Sequence, residues 1–218
     1  MMKYNPKQLK IIEVAEKLFA EKGFSGTSIR DISQEAEVNV SMISYYFGSK
    51  EKLIEALFAL RSHEFISKLD NLLKDLDLSP VQKVNLMIDW VLNRLIEKHC
   101  FHNIVLREQL AGDSRTVIIS DLLDEMKSNN LAAMKKIIQE GQQTGEFKSD
   151  VDVLMLSTTL FGTINQAIST QRFYRKVHGL QNATQEELEN HLRQNLSVHL
   201  KKFFRFTLVQ ELNHTIDG

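Results

Sequence analysis

One cysteine, two prolines and nine glycines in 218 residues exclude several kinds of protein at once. A lone Cys100 rules out an intramolecular disulfide, a CxxC redox centre and a multi-cysteine metal site. Set among Phe101, Ile104 and Val105, it reads as a small buried hydrophobe rather than a reactive thiol. So few helix breakers argue for long uninterrupted helices and against a β-rich fold. Excess charge is missing too: the formal net charge is −1. Residues 1–53 carry 8 basic against 7 acidic side chains, so any nucleic-acid contact must come from a local patch. Long hydrophobic runs are absent. The most apolar stretch, Val153 to Ile168, is interrupted by Ser157, Thr158, Thr159, Gly162, Thr163 and Asn165, and falls short of the ~20 apolar residues a bilayer needs. The first ten residues, MMKYNPKQLK, have no apolar signal core, so a cytoplasmic protein without a membrane segment is expected. No HExxH, P-loop, GxSxG or dinucleotide fingerprint occurs. His99 and His102 are three apart but have no evident third ligand. Neither an enzyme nor a cofactor nor a metal is expected.

What is present is concentrated between Gly23 and Leu53. Thr27 reads as the N-cap of a short helix from about Ser28 to Ala36, with Ile29, Ile32 and Ala36 on its buried face. A break at Glu37-Val38-Asn39 follows. A second short helix runs from about Val40 to Phe47, Gly48 ends it, and Ser49 caps the next. Two short helices crossing at a tight turn form a helix-turn-helix, whose second helix enters the major groove in DNA-binding versions. That helix carries Ser41, Ser44, Tyr45 and Tyr46 as hydroxyl donors and Met42 as a flexible apolar group, with Ile43 and Phe47 inward. A solvated amphipathic helix would explain neither two tyrosines at its end nor Lys50 at the next helix's N-terminus, where a cation opposes the dipole. A phosphate in front of that helix end would accept bonds from its free N–H groups and from Lys50 together.

Ala15, Phe19, Gly23, Phe24, Thr27, Ser28, Ile29, Ile32, Ala36, Val38, Tyr45, Phe47, Lys50 and Leu53 form a long, gapless pattern over residues 5 to 55. The segment resembles the N-terminal domain of the TetR (tetracycline-repressor type) family of bacterial transcriptional regulators. The rest of the chain matches that family only in length and helical character. The family usually has glycine where this chain has Glu37; at φ > 0 glutamate costs on the order of 1 kcal/mol. Ser44 stands where many members carry tyrosine. The resemblance implies DNA-binding residues Thr27, Ser28, Val40, Ser41, Met42, Ser44, Tyr45, Tyr46 and Lys50. Of these, Tyr46, Thr27 and Lys50 would hold phosphates, while Val40, Ser41, Met42 and Tyr45 would face base edges.

Elsewhere, a first helix from Pro6 to Gly23 buries Leu9, Ile12, Ala15 and Phe19, with Lys3, Lys7 and Lys10 clustered at its start. A helix from Ser49 to about Leu76 joins residues 1–53, the DNA-binding domain, to residues 54–218, and is the only covalent path between them. Ser79-Pro80 opens a helix with Val81, Val84, Ile88, Val91 and Leu95 inward. Phe101 to Leu110 forms a shorter one, ended near Gly112, and a long one runs from about Arg115 to Gln143. Ser149 with Asp152, and Thr184 with Glu187, read as capping boxes opening the last two long helices. From Leu196 to Val209 apolar residues cover more than one face, which fits burial against the core on one side and a second subunit on the other. Gly162, costing ~1 kcal/mol in mid-helix, suggests a close helix crossing. Both observations fit a homodimer through the last two long helices, as the family resemblance implies; completion of a single core is the alternative.

The expected fold is therefore all-α: an N-terminal three-helix helix-turn-helix domain, then a long helix, then a helical ligand-binding and dimerisation domain. Trp90, Phe101, His102, Met126, Phe161, Asn165 and Gln166 mix aromatic bulk with polar groups and are the candidate lining of a pocket for an unknown small-molecule effector. The expected function is a sequence-specific transcriptional regulator, a repressor released from a palindromic operator on double-stranded DNA by that effector. The alternative is a ligand-independent helical DNA-binding protein organising DNA or a protein complex. A closed cavity in the second domain would favour the first reading, and solid packing the second.

Overall fold

A computed structural model describes residues 4–110 and 117–209. The described residues form α1 (Pro6–Lys22), α2 (Ile29–Glu35), α3 (Val40–Phe47), α4 (Lys50–Lys74), α5 (Pro80–Glu97), α6 (His99–Leu110), α7 (Val117–Gln143), α8 (Val153–Ser169), α9 (Gln171–Val177) and α10 (Gln185–Leu208). The all-α expectation holds. Lys3, the break near Gly112 and a helix start at Arg115 lie outside the described residues. Caps explain most boundaries. Asn5 and Gln8 close a capping box before Pro6. The Ser79 hydroxyl accepts the Gln82 N–H, and Thr184 with Glu187 opens α10 as expected. Two expected caps move. Ser28, not Thr27, caps α2, and Asp152 alone caps α8 by accepting the Met155 N–H.

The chain packs as two compact units, residues 1–68 with 98–129, and residues 69–97 with 130–218. The first unit is larger than the helix-turn-helix. Its core joins Ile11, Ile12, Ala15 and Phe19 of α1 to Ile32 and Ile43 of the motif, Leu53, Ile54, Leu57 and Phe58 of α4, and Phe101, Ile104, Ile119 and Leu123 of α6 and α7. Phe58 and Phe101 meet edge-to-face, ring centroids 5.0 Å apart. Across this core runs a buried ion pair. Arg61 on α4 donates through Nε (3.0 Å) and Nη2 to one carboxylate oxygen of Glu16 on α1, and through Nη1 to the more exposed Glu64. The chain passes between the units three times, within α4, after α5 and within α7. The expectation that the helix after Ser49 is the only covalent path is thereby corrected.

In the second unit α10 lies along α5, and α8 packs on both. Leu188, Leu192, Leu196, Leu200, Phe204 and Leu208 of α10 recur every four residues and are all buried. Asp89 accepts from Ser197 (2.7 Å) and Lys201 (2.6 Å), tying α5 to α10. Lys83 is fully buried and donates to Glu140 (2.7 Å) and to the Leu73 carbonyl, joining α5, α7 and the end of α4. The short α9 between Thr170 and His178 was not anticipated from the sequence. Gly162 makes no close crossing inside the chain, because a Cβ placed there meets nothing within 4 Å.

Removing one partner of a buried pair strands the other charge. Glu16→Ala should lower unfolding stability by about 3–5 kcal/mol, and Glu16→Leu with Arg61→Met should recover most of it. Urea denaturation reads both; a single-variant loss under about 1 kcal/mol would mean that water reaches the pair.

Candidate nucleic-acid interface

Each bound of α3 has a local cause. Asn39 is the extended residue before it, and Gly48 ends it at φ 80°, a left-handed conformation that glycine adopts without strain. Ile43 is buried and Phe47 is half-buried against the core of the first unit. That leaves Val40 (42% exposed), Ser41, Ser44 and Tyr45 (82% exposed) on one outward face. Met42 is half-buried at its edge. Tyr46 is also half-buried, its ring edge-to-face with both Tyr45 and Phe47. An exposed tyrosine beside two exposed serines offers hydrogen-bond donors and apolar surface to base edges.

Three expected contacts look different in the structure. Thr27 is buried, and its hydroxyl is shared between the Gly23 (2.8 Å) and Leu18 (3.1 Å) carbonyls. It pins the loop to the end of α1, so the phosphate role expected of its side chain is corrected to a structural one. The Ser28 hydroxyl donates to Asp31 (2.7 Å) and accepts the Asp31 N–H, closing a capping box. Those bonds from Ser28 hold the Asp31 carboxyl below its ordinary range. The Lys50 ammonium donates to the Phe24 (2.9 Å) and Thr27 (3.0 Å) carbonyls and sits 4.4 Å from the Phe24 ring centroid. Its charge at a helix N-terminus is thus compensated from within, and one N–H remains for a phosphate. Asn39 is exposed and makes no side-chain bond to the helix it precedes.

The seven candidate pocket residues are divided between the units. Phe101, His102 and Met126 belong to the first, Trp90, Phe161, Asn165 and Gln166 to the second. Phe101 is core, and Met126 packs on that core. Gln166 is exposed, and its carbonyl accepts from Thr170. Asn165 Oδ1 and His102 Nε2 are buried without a hydrogen-bond partner. Burial lowers the His102 pKa to about 4. Cys100 is half-buried rather than buried, and desolvation raises its thiol pKa. Among the described residues no group of three or more His, Cys, Asp or Glu side chains is placed to hold a metal ion. No helix of the described residues is long and apolar enough to cross a membrane.

Residues 11–57 match the family profile "Bacterial regulatory proteins, tetR family", and residues 80–198 match "Tetracyclin repressor-like, C-terminal domain". The chain is 27% identical to the fatty acid metabolism regulator protein of Bacillus subtilis (strain 168), over 78% of this chain and 86% of that one. It is 35% identical to the probable HTH-type transcriptional regulator YttP of the same organism, over 63% of this chain and 66% of that one. Among solved structures, the fold is similar to the transcriptional regulator FadR from Bacillus subtilis in complex with stearoyl-CoA (TM-score 0.66, 23% identity, 88% of this chain and 96% of that one). It is also similar to the SmeT–triclosan complex (TM-score 0.76, 16% identity, 95% and 93%).

Lys50→Ala should cost stability, on the order of 2 kcal/mol for two charge-assisted bonds, and should also reduce the salt slope of DNA binding by about 1. A stability loss with an unchanged slope would leave Lys50 as a loop clip alone. His102 binds its proton less readily folded than unfolded, so its contribution is full above about pH 6.5 and is lost as pH falls toward 4. Stability should therefore drop by about 2 kcal/mol between pH 7.5 and 5 from this group, and His102→Leu should remove that part. Denaturation at the two pH values checks it.

Two short helices crossing at a tight turn, α2 and α3, in an all-α chain, and two family matches that together span most of the chain lead to one conclusion: the protein belongs to the tetR family of bacterial transcriptional regulators.

Proposed function

We propose that the protein is a homodimeric repressor that holds a palindromic operator and is released by a small-molecule effector, acting in the cytoplasm. The observation that carries the DNA half is the outward face of α3. Val40, Ser41, Met42 and Tyr45 face base edges. Tyr46 and the remaining N–H of Lys50 hold phosphates, with Ser44 beside them at the helix end. A chain with one reading helix gains range and specificity by pairing, and two-fold symmetry in the protein is mirrored in its site. The surface for pairing is apolar: Leu154 and Met155 of α8, and Val198, Phe203 and Phe206 of α10, are all exposed. Gly162 stands open on the same pair of helices, so the mid-helix glycine is available to a partner helix rather than to this chain. Surface of this kind is costly to leave in water.

Effector control is supported by the relatives. One bears the name fatty acid metabolism regulator protein, and a solved neighbour is described in complex with stearoyl-CoA. A long-chain acyl-CoA is accordingly the first effector to try. An effector that prefers the DNA-free form weakens DNA binding by the same coupling factor, typically 1–3 kcal/mol.

Selection from a random DNA pool should yield an inverted repeat with half-site centres about one helical turn, ~34–36 Å, or a multiple apart. Ser41→Ala or Met42→Ala should change the preferred bases. Light scattering that finds a monomer at micromolar concentration, or a selection that enriches no sequence, would refute the proposal.

A further inference from the structure

Beside the N-terminal end of α3 the surface opens into a groove of about 620 Å³, walled by Lys7 and Lys10 of α1, Glu37 of the turn, Asn39 just before α3 and Met42 on it. Across it Lys10 Nζ stands 3.3 Å from Glu37 Oε2. Glu37 is the one non-glycine with positive φ (56°) among the described residues. That conformation costs a glutamate about 1 kcal/mol or more. The ion pair does little to repay it, since the two side chains are 53% and 83% exposed and such pairs contribute about 0–1 kcal/mol. Stability therefore gives no reason for glutamate here. Its effect is electrostatic: it holds an anion against a lysine at the rim of the reading helix.

We propose that Glu37 occupies, in the free protein, the place that a DNA phosphate takes beside Lys10, so that DNA must displace an internal carboxylate to gain this contact. The inference rests on the reading that α3 faces DNA. An eight-residue helix spans about 12 Å, close to the ~12 Å width of the major groove. Lys50 stands at one end of α3, and Lys7 and Lys10 stand at the other. Cations therefore flank the reading face at both ends, but the pair at the α1 end carries its own counter-charge. When DNA docks, Lys10 exchanges a carboxylate for a phosphate, and the released Glu37 carboxylate stays beside the backbone. Lys10 and Glu37 together then bring almost no net charge to the phosphates, so few of the cations condensed on DNA are released here. This corner then adds almost nothing to the salt dependence, and the sequence-independent part of the affinity is held down.

The test uses the full chain and four proteins: wild type, Glu37→Gln, Lys10→Ala and the double variant. Glutamine keeps the side-chain length and the backbone strain, so only the charge changes. Fluorescence anisotropy follows binding to a selected inverted-repeat duplex and to a random-sequence duplex from 50 to 200 mM salt. Glu37→Gln should bind both duplexes several-fold more tightly at low salt and steepen the slope of log K against log salt by about 0.9. Over that range its affinity should fall roughly 3.5-fold further than that of the wild type. Lys10→Ala should change the wild-type slope little, yet cancel the whole gain of Glu37→Gln. The inference is overturned if Glu37→Gln binds DNA with an unchanged slope, or if Lys10→Ala flattens the slope equally in both backgrounds. If wild type and variants alike bind neither duplex, the DNA-reading assignment of α3 itself fails.

Discussion

The placement of α3, the helix proposed to read DNA, rests on a buried charge pair between its neighbouring helices. Arg61 and Glu16 are both buried, and Arg61 Nε and Nη2 both bind one Glu16 oxygen. An apolar contact would let α4 slide along α1; a directional pair at one point fixes the register. Register is the best-attested use of a buried ion pair, because its net contribution to stability is small. Arg61 lies three turns along α4 from Lys50, and Lys50 binds the carbonyls of the α1–α2 loop. The two points together set the angle of α4, and with it the Gly48–Ser49 corner that ends α3.

The head that carries α3 is therefore a composite. Residues 98–129 pack with residues 1–68, although the second family profile, covering 80–198, assigns them to the other half of the chain. Phe101 is core to the same cluster that buries Ile43 beneath the reading face. His102, one residue on, is buried with an unpartnered Nε2. A change that perturbs α6 or the first half of α7 is thus applied directly to the body that holds α3. The proposed effector coupling would have α7 as well as α4 as a covalent path, since both helices contribute residues to both units.

Much of this was legible in the residues. Val40–Phe47 was bounded correctly because a break at Glu37-Val38-Asn39 precedes it and Gly48 ends it in a left-handed conformation. The glutamate at the turn was readable as a positive-φ position because the family resemblance places glycine there. Other features depend on packing that no local pattern reports. Thr27 and Ser28 are both good caps, and only the fold decides that Thr27 turns inward to carbonyls on the preceding helix and loop. Lys50 looked unfavourable at a helix start until the Phe24 and Thr27 carbonyls were seen to receive it. Glu16 and Arg61 are 45 residues apart, each unremarkable on its own helix. The short α9 lacks an apolar stripe, and none of its residues is buried, so periodicity had nothing to detect. The pocket residues were grouped by composition, and composition does not say that they belong to two units.

Native-state hydrogen exchange tests the composite head most directly. If α1, the first half of α4 and α6 form one body, their slowest amides should share a single opening free energy, and Glu16→Ala should lower it for all three together. Slow amides of α6 that keep their protection while those of α1 and α4 lose it would contradict the composite head. The reading head would then be the first 53 residues alone.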